Sequence, residues 1–157
     1  MEELKLPGKK GACLTLRAPG AKAGGTVDEN LPKLKALNVS WNYSWGTSLV
    51  DGQPAGMEFV PMIWGAGRED RFREQIDTIK GYVDAGKVKR ILAFNEPDKK
   101  EQANMPYMRA IKFWPAFEEL GIPLVSPACA NTEGINDPST QGVPGPWMRD
   151  FMREVDK

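Results

Sequence analysis

Lys89-Arg90-Ile91-Leu92-Ala93-Phe94-Asn95-Glu96-Pro97-Asp98 runs a short apolar segment straight into an amide, a carboxylate and a proline. Ile91 to Phe94 has the length and character of a buried parallel strand. Pro97 stops it, because proline has no N–H to give a neighbour and disfavours helix in the residue before it. Glu96 is therefore expected at a strand's end beside apolar walls, a setting that suits a carboxyl group as proton donor. A solvated turn glutamate is the alternative that this stretch alone leaves open.

Working outward, the same alternation of apolar strand and amphipathic helix recurs. Upstream, Glu69 to Ala85 carries Phe72, Ile76, Ile79 and Val83 at helical spacing, with Gly86 as its stop. Downstream, Pro106 opens a helix with Met108, Ile111, Trp114, Phe117 and Leu120 inward, Gly121 after it and a kink expected at Pro115. Ile122 to Cys129 reads as a further strand, Asn131 to Gly145 as a turn-rich loop, and Pro146 as the start of a last helix with Trp147, Phe151 and Val155 on one side.

Towards the N-terminus, Gly11 to Leu16 reads as the first strand. A glycine-rich loop follows, then a helix capped by Asp28 with Leu31, Leu34 and Leu37 inward. The loop lacks the G-x-x-x-x-G-K-[ST] spacing of a phosphate cradle. Asn38 to Trp45 alternates, with Val39, Trp41, Tyr43 and Trp45 on one face and Ser40, Asn42 and Ser44 on the other. Glu58 to Trp64 is a third strand despite Pro61. Gly46 to Met57, between those two strands, is too short for a good crossover helix. The order is thus α/β with a parallel sheet of five units, either an open doubly wound sheet or part of a barrel, since a complete (β/α)8 barrel needs ~250 residues.

The totals exclude several function classes. The 157 residues suit a single domain, 1–157, and carry 21 basic and 21 acidic side chains, so nothing points to nucleic acid or an anionic membrane. No apolar run is long enough to span a bilayer. Met1 to Lys10 is charged and has no signal-peptide core. The absence of histidine removes Ser-His-Asp, Cys-His and the common zinc chemistries, and no metal or cofactor is called for. Cys13 and Cys129 read as buried free thiols.

In a parallel sheet the C-terminal strand ends form the active face. Asn42, Tyr43, Ser44, Trp45, Trp64, Asn95 and Glu96 fall there, with Ser126 to Asn131. Indole and phenol rings stack on the C–H faces of a sugar, and amides fork onto its hydroxyls, so this set suits a carbohydrate.

Five blocks in order then resemble glycoside hydrolase family 128. They are Val39-Ser40-Trp41-Asn42-Tyr43-Ser44-Trp45-Gly46, Glu58-Phe59-Val60-Pro61-Met62-Ile63-Trp64-Gly65, Leu92-Ala93-Phe94-Asn95-Glu96-Pro97-Asp98, Gln102-Ala103-Asn104-Met105 and Leu124-Val125-Ser126-Pro127-Ala128. The family holds β-1,3-glucanases in clan A of the (β/α)8 TIM-barrel glycosidases. The resemblance, which runs from about Lys10 to Arg153, implies an incomplete barrel of the first five β/α units. It makes Glu96 the general acid/base and Asn95 the amide that hydrogen-bonds the sugar at the cleavage site. Trp41, Asn42, Tyr43, Trp45 and Trp64 fall in blocks that line the glucan cleft. The family is secreted, which implies an extracellular protein.

One departure matters. A retaining glycosidase needs two carboxyl groups about 5 Å apart, and in this clan the nucleophile is a glutamate ending the seventh strand. The chain has no counterpart to it. Glu58 begins a strand and so lies at the wrong end, Asp98 is at best a neighbour of Glu96, and Glu133 is the remaining local candidate. The expectation is a C-terminally truncated catalytic domain that binds β-1,3-glucan oligosaccharides but cleaves them poorly. Its open sheet edge should associate with a complementing C-terminal fragment or with itself. The rival readings are a non-catalytic β-glucan-binding module and a small open α/β protein unrelated to sugars.

Overall fold

The computed structural model describes residues 8–22, 24–130 and 145–155. The elements there are β1 (Gly11–Cys13), α1 (Val27–Leu37), β2 (Trp41–Tyr43), β3 (Glu58–Phe59), α2 (Glu69–Asp84), β4 (Ile91–Leu92), α3 (Tyr107–Glu118), β5 (Leu124–Val125) and α4 (Pro146–Val155). Their order is the expected one, including the direct connection from β2 to β3 without a helix.

All pairings among the described residues are parallel. β1 pairs with β2, and β2 with β3, in the register Gly11–Trp41–Glu58 and Ala12–Asn42–Phe59. β4 pairs with β5, Ile91 opposite Leu124. An isolated bridge, Met62 opposite Leu92, joins the two sets. There the Leu92 N–H donates to Pro61 O at 2.9 Å and the Ile63 N–H to Leu92 O at 3.2 Å. The strands are shorter than the apolar runs that predict them. Pro61 and Pro123 have no N–H for the ladder and can only accept, which breaks regular pairing beside them.

Helices cover one face of this sheet. Phe59, Ile91, Ala93 and Phe94 join Phe72, Ile76 and Ile79 of α2 and Ala110, Phe113 and Phe117 of α3 in the larger core. Its centre is aromatic. Phe72 lies 4.5 Å from Phe113 and 5.6 Å from Phe117, and Phe94 meets Phe117 edge-on at 5.3 Å. Such edge contacts add to the burial of the rings. α4 is fastened to α3 by Phe151, which meets Trp114 edge-on at 5.0 Å and stacks with Trp147 at 5.4 Å. A smaller core of Leu16, Leu34 and Val39 lies under α1.

Local chemistry accounts for the helix ends. α1 begins two residues earlier than a cap at Asp28 implies. Thr26 is the cap, accepting from the Glu29 N–H while Glu29 Oε2 accepts from the Thr26 N–H, and these bonds hold the Glu29 carboxyl below its ordinary range. Asp28 instead lies in the first turn, where the helix dipole favours it. Leu37, expected inward, is exposed. α2 ends in a Schellman motif: the Lys87 N–H reaches Tyr82 O, the Gly86 N–H reaches Val83 O, and Gly86 takes φ +69. Pro115 stands in the last turn of α3 rather than its middle, because the helix gives way to i→i−3 turns at Leu120 and Gly121.

Phe117 touches three aromatic rings and is fully buried, so Phe117→Ala should cost about 3–5 kcal/mol of stability. Urea denaturation measures this; a loss below about 1 kcal/mol would contradict the packing described.

Candidate active site

The strand ends bring four of the sequence-selected residues, Trp45, Trp64, Asn95 and Glu96, to one rim. Asn95 and Glu96 follow β4 after Ala93 and Phe94. The Asn95 N–H donates to Trp64 O, on the β3 side, at 2.9 Å, and the Glu96 N–H donates to Ala128 O, beyond β5, at 2.7 Å. Consecutive amides of an extended chain point in opposite directions, so these two bonds pin both residues between their neighbours. One strand further, Met62 N–H donates to Gly46 O at 3.0 Å, which sets Trp45 beside the end of β3. Trp45, Trp64, Asn95 and Glu96 therefore stand on successive strand ends.

Two of these residues have left-handed backbones, Glu96 at φ +43 and Trp45 at φ +54. For large side chains this costs of order 1–3 kcal/mol each and persists only where the surroundings enforce it. At Glu96 the enforcement is visible. Its N–H is held by Ala128, its carbonyl accepts from the Lys99 N–H at 3.1 Å, and fully buried Pro97 follows. The side chain stays about one-third exposed, and Oε2 lies 3.6 Å from Lys99 Nζ with no hydrogen-bond partner in reach. This is a partly exposed carboxylate whose Oε2 is buried without a hydrogen bond, with one cation beside it.

The loop after β4 folds back as a support. Ala103 N–H donates to Asn95 O at 3.3 Å, Met105 N–H to Pro97 O at 2.7 Å, and Asn95 Nδ2 to Gln102 Oε1 at 3.3 Å. Gly65 leaves room for it: a Cβ there would stand 3.2 Å from Ala103 Cβ. Trp147, expected as core, also donates from Nε1 to Met105 O at 2.7 Å, tying α4 to the same loop. Lys99 does not stand out in the sequence, and Gln102 stands out only as the first residue of a quoted block, without a role. Their spacing of three from Glu96 and seven from Asn95 carries meaning only once the turn is known.

The open sheet face carries the aromatic row that the alternation of β2 predicts. Trp41 and Tyr43 are near-parallel with centroids 6.5 Å apart, and Tyr43 meets Trp45 at 5.0 Å. Trp41 lies over Gly11, where any Cβ would meet its ring at about 2 Å (1.9 Å to the nearest atom). Trp64 is 36% exposed, enough surface for a ligand to cover. Cys13, opposite Tyr43 in the ladder, is exposed rather than buried, because the face it shares lacks a helical layer. Burial first, then a hydrogen bond and charge from Cys13, push the Tyr43 phenol up to about 12. Cys129 is half-buried, and burial together with the Asp98 carboxylate pushes its thiol up to about 12.

Asn42 behaves differently from the expectation of a ligand contact. It is fully buried on the helix-facing side, accepting from the Leu14 N–H at 3.0 Å and donating to Leu14 O at 3.3 Å. Its amide acts as a clip between β2 and the chain beyond β1. Glu58 lies at the opposite end of the strands, bound by Arg90 through two bonds of 2.8 and 2.9 Å. Asp98 accepts from the Ala130 N–H at 2.8 Å. Glu133 lies outside the described residues. Among those residues no group of three or more His, Cys, Asp or Glu could hold a metal ion.

Two outcomes follow from this geometry. Asn tolerates a left-handed backbone, so Glu96→Asn should raise stability by up to about 1 kcal/mol, seen as a higher thermal midpoint; a lower midpoint would contradict the enforced backbone. Tyr43 titrates higher folded than its ordinary 10.0. The folded chain thus holds that proton longer, its contribution is full below the unfolded value, and it is lost as pH rises through the folded one. Stability should fall between those two values, and Tyr43→Phe should flatten the fall in urea titrations. An unchanged slope would count against the buried phenol.

Comparison with known proteins identifies the family. Residues 20–157 match the family model described as glycosyl hydrolase catalytic core. A comparison with curated proteins found no match. Among solved structures, the chain is similar to a subgroup I endo-β-1,3-glucanase of glycoside hydrolase family 128 from Amycolatopsis mediterranei in complex with laminaritriose (29% identity, TM-score 0.69, 95% of this chain and 52% of that one). It is also similar to a subgroup II endo-β-1,3-glucanase from Pseudomonas viridiflava (26%, 0.61, 93% and 53%). A third is a curdlan-specific exo-β-1,3-glucanase from Blastomyces gilchristii in complex with glucose (26%, 0.59, 94% and 55%). The chain spans about half the length of these structures. The resemblance read from the five sequence blocks is thereby borne out, and the chain belongs to the glycosyl hydrolase catalytic core family.

Proposed function

We propose that this chain supplies the acid/base half of a retaining β-1,3-glucan hydrolase built as a (β/α)8 barrel. The observation that carries the reading is the pinning of Asn95 and Glu96 on the rim that also holds Trp45 and Trp64. Glu96 is the general acid/base. It protonates the glycosidic oxygen as the bond to the anomeric carbon breaks, and later takes a proton from the attacking water. Asn95 hydrogen-bonds the sugar at the cleavage point. Trp45, Trp64 and Tyr43 stack on neighbouring glucose rings, while Trp41 supports Tyr43 from below and Asn42 holds β2 in place.

The nucleophilic carboxylate comes from outside this chain. Glu58 is paired with Arg90 at the far end of the sheet, and the solved relatives are about twice as long. A complementing segment, or a second copy, would cover the open face where Trp64 and Val125 remain exposed. Such a protein acts on polymeric glucan and is placed outside the cell.

Tryptophan fluorescence titrated with laminaritriose, together with laminarin hydrolysis, tests this. The wild type and Glu96→Gln should both bind the trisaccharide, and the chain alone should release little sugar. Absence of any fluorescence response would contradict the glucan reading. Robust turnover abolished by Glu96→Gln would place a second working carboxylate within this chain and overturn the divided site.

A further inference from the structure

An amide side chain is asymmetric, with donors at one end and an acceptor at the other, so its usefulness to a ligand depends on which end is turned outward. The Asn95 backbone is fixed between Trp64 and Ala128, but a backbone bond does not choose between the two amide orientations. The contact able to choose is the one from Asn95 Nδ2 to Gln102 Oε1. The Gln102 backbone is placed by its N–H, which donates to Lys99 O at 3.0 Å, and by Ala103 beside it, which donates to Asn95 O. These bonds bring the Gln102 side chain to Asn95, and the contact between the two amides pairs their ends.

We propose that Gln102 is the positioning residue for Asn95: its side-chain oxygen holds the Asn95 amide in one orientation, with the carbonyl oxygen and the second amide hydrogen left for a glucan hydroxyl. Flipping Asn95 would bring two oxygens together unless Gln102 flipped as well. The inference rests on the glucan reading above and deepens it, by naming the residue that sets the polarity presented beside the acid/base.

Two variants separate orientation from packing. Gln102→Met keeps the size and removes the acceptor; Gln102→Glu keeps the acceptor and cannot donate. In laminaritriose titrations Gln102→Glu should bind within about twofold of the wild type, while Gln102→Met should bind roughly tenfold more weakly, the scale of one lost hydrogen bond. The Asn95 side-chain amide resonances read the same contact without sugar. One proton should stay hydrogen-bonded in Gln102→Glu and move to a free-amide position in Gln102→Met. Wild-type binding by Gln102→Met, or an equally weak Gln102→Glu, would overturn the inference, and Gln102→Glu alone decides the orientation should Gln102→Met fail to fold. A wild-type chain that ignores laminaritriose would contradict the glucan reading, and the amide resonances would then judge the contact by themselves.

Discussion

Two successive backbone amides, at Asn95 and Glu96, donate to strands on opposite sides, one to Trp64 and the other to Ala128. They lie just beyond β4, and the described rim is arranged around them. Because both neighbours hold the chain, Glu96 can be kept at a positive φ that an unsupported glutamate would leave. That backbone turns the chain back on itself, so that Lys99 comes beside the Glu96 carboxylate and Gln102 beside the Asn95 amide. A regular strand end would carry the same residues without this convergence.

The supporting layer works towards the same end. Phe94, immediately before Asn95, is fully buried among Phe72 and Phe117, so the strand cannot slide without disturbing α2 and α3. α4 adds a second restraint through Trp147, whose indole N–H reaches the Met105 carbonyl. The Met105 amide in turn holds Pro97. Elements distant in sequence thus converge on the segment from Asn95 to Met105. The opposite end of the sheet is closed by the Glu58–Arg90 pair, a stabilising contact well removed from the rim.

Much of this is legible in the sequence, for reasons that differ by element. α2 and α3 show because their buried aromatic and aliphatic residues repeat at helical spacing, and β2 shows because its aromatic rings alternate. Glu96 shows because an apolar run ends abruptly in Asn-Glu-Pro. Asn42 misleads: alternation opposes it to the rings, but no periodicity reveals that its amide clips to the Leu14 backbone. Cys13 misleads because an apolar run looks the same whether or not a helix covers it. The cap at Thr26 is missed for Asp28 since both residue types cap well, and only the reciprocal bond with Glu29 decides. Lys99 and Gln102 depend on a left-handed residue that no side-chain pattern encodes.

The proposed function reduces to one placement: a glucan would lie across the strand ends at Trp45, Trp64 and Asn95. Amide and indole chemical-shift mapping with laminaritriose tests it most directly. The account expects the shifts to concentrate on Trp45, Trp64, Asn95 and the turn up to Gln102, leaving Glu58 and Arg90 unmoved. Shifts gathered at the Glu58–Arg90 end, or absent from the rim, would contradict it.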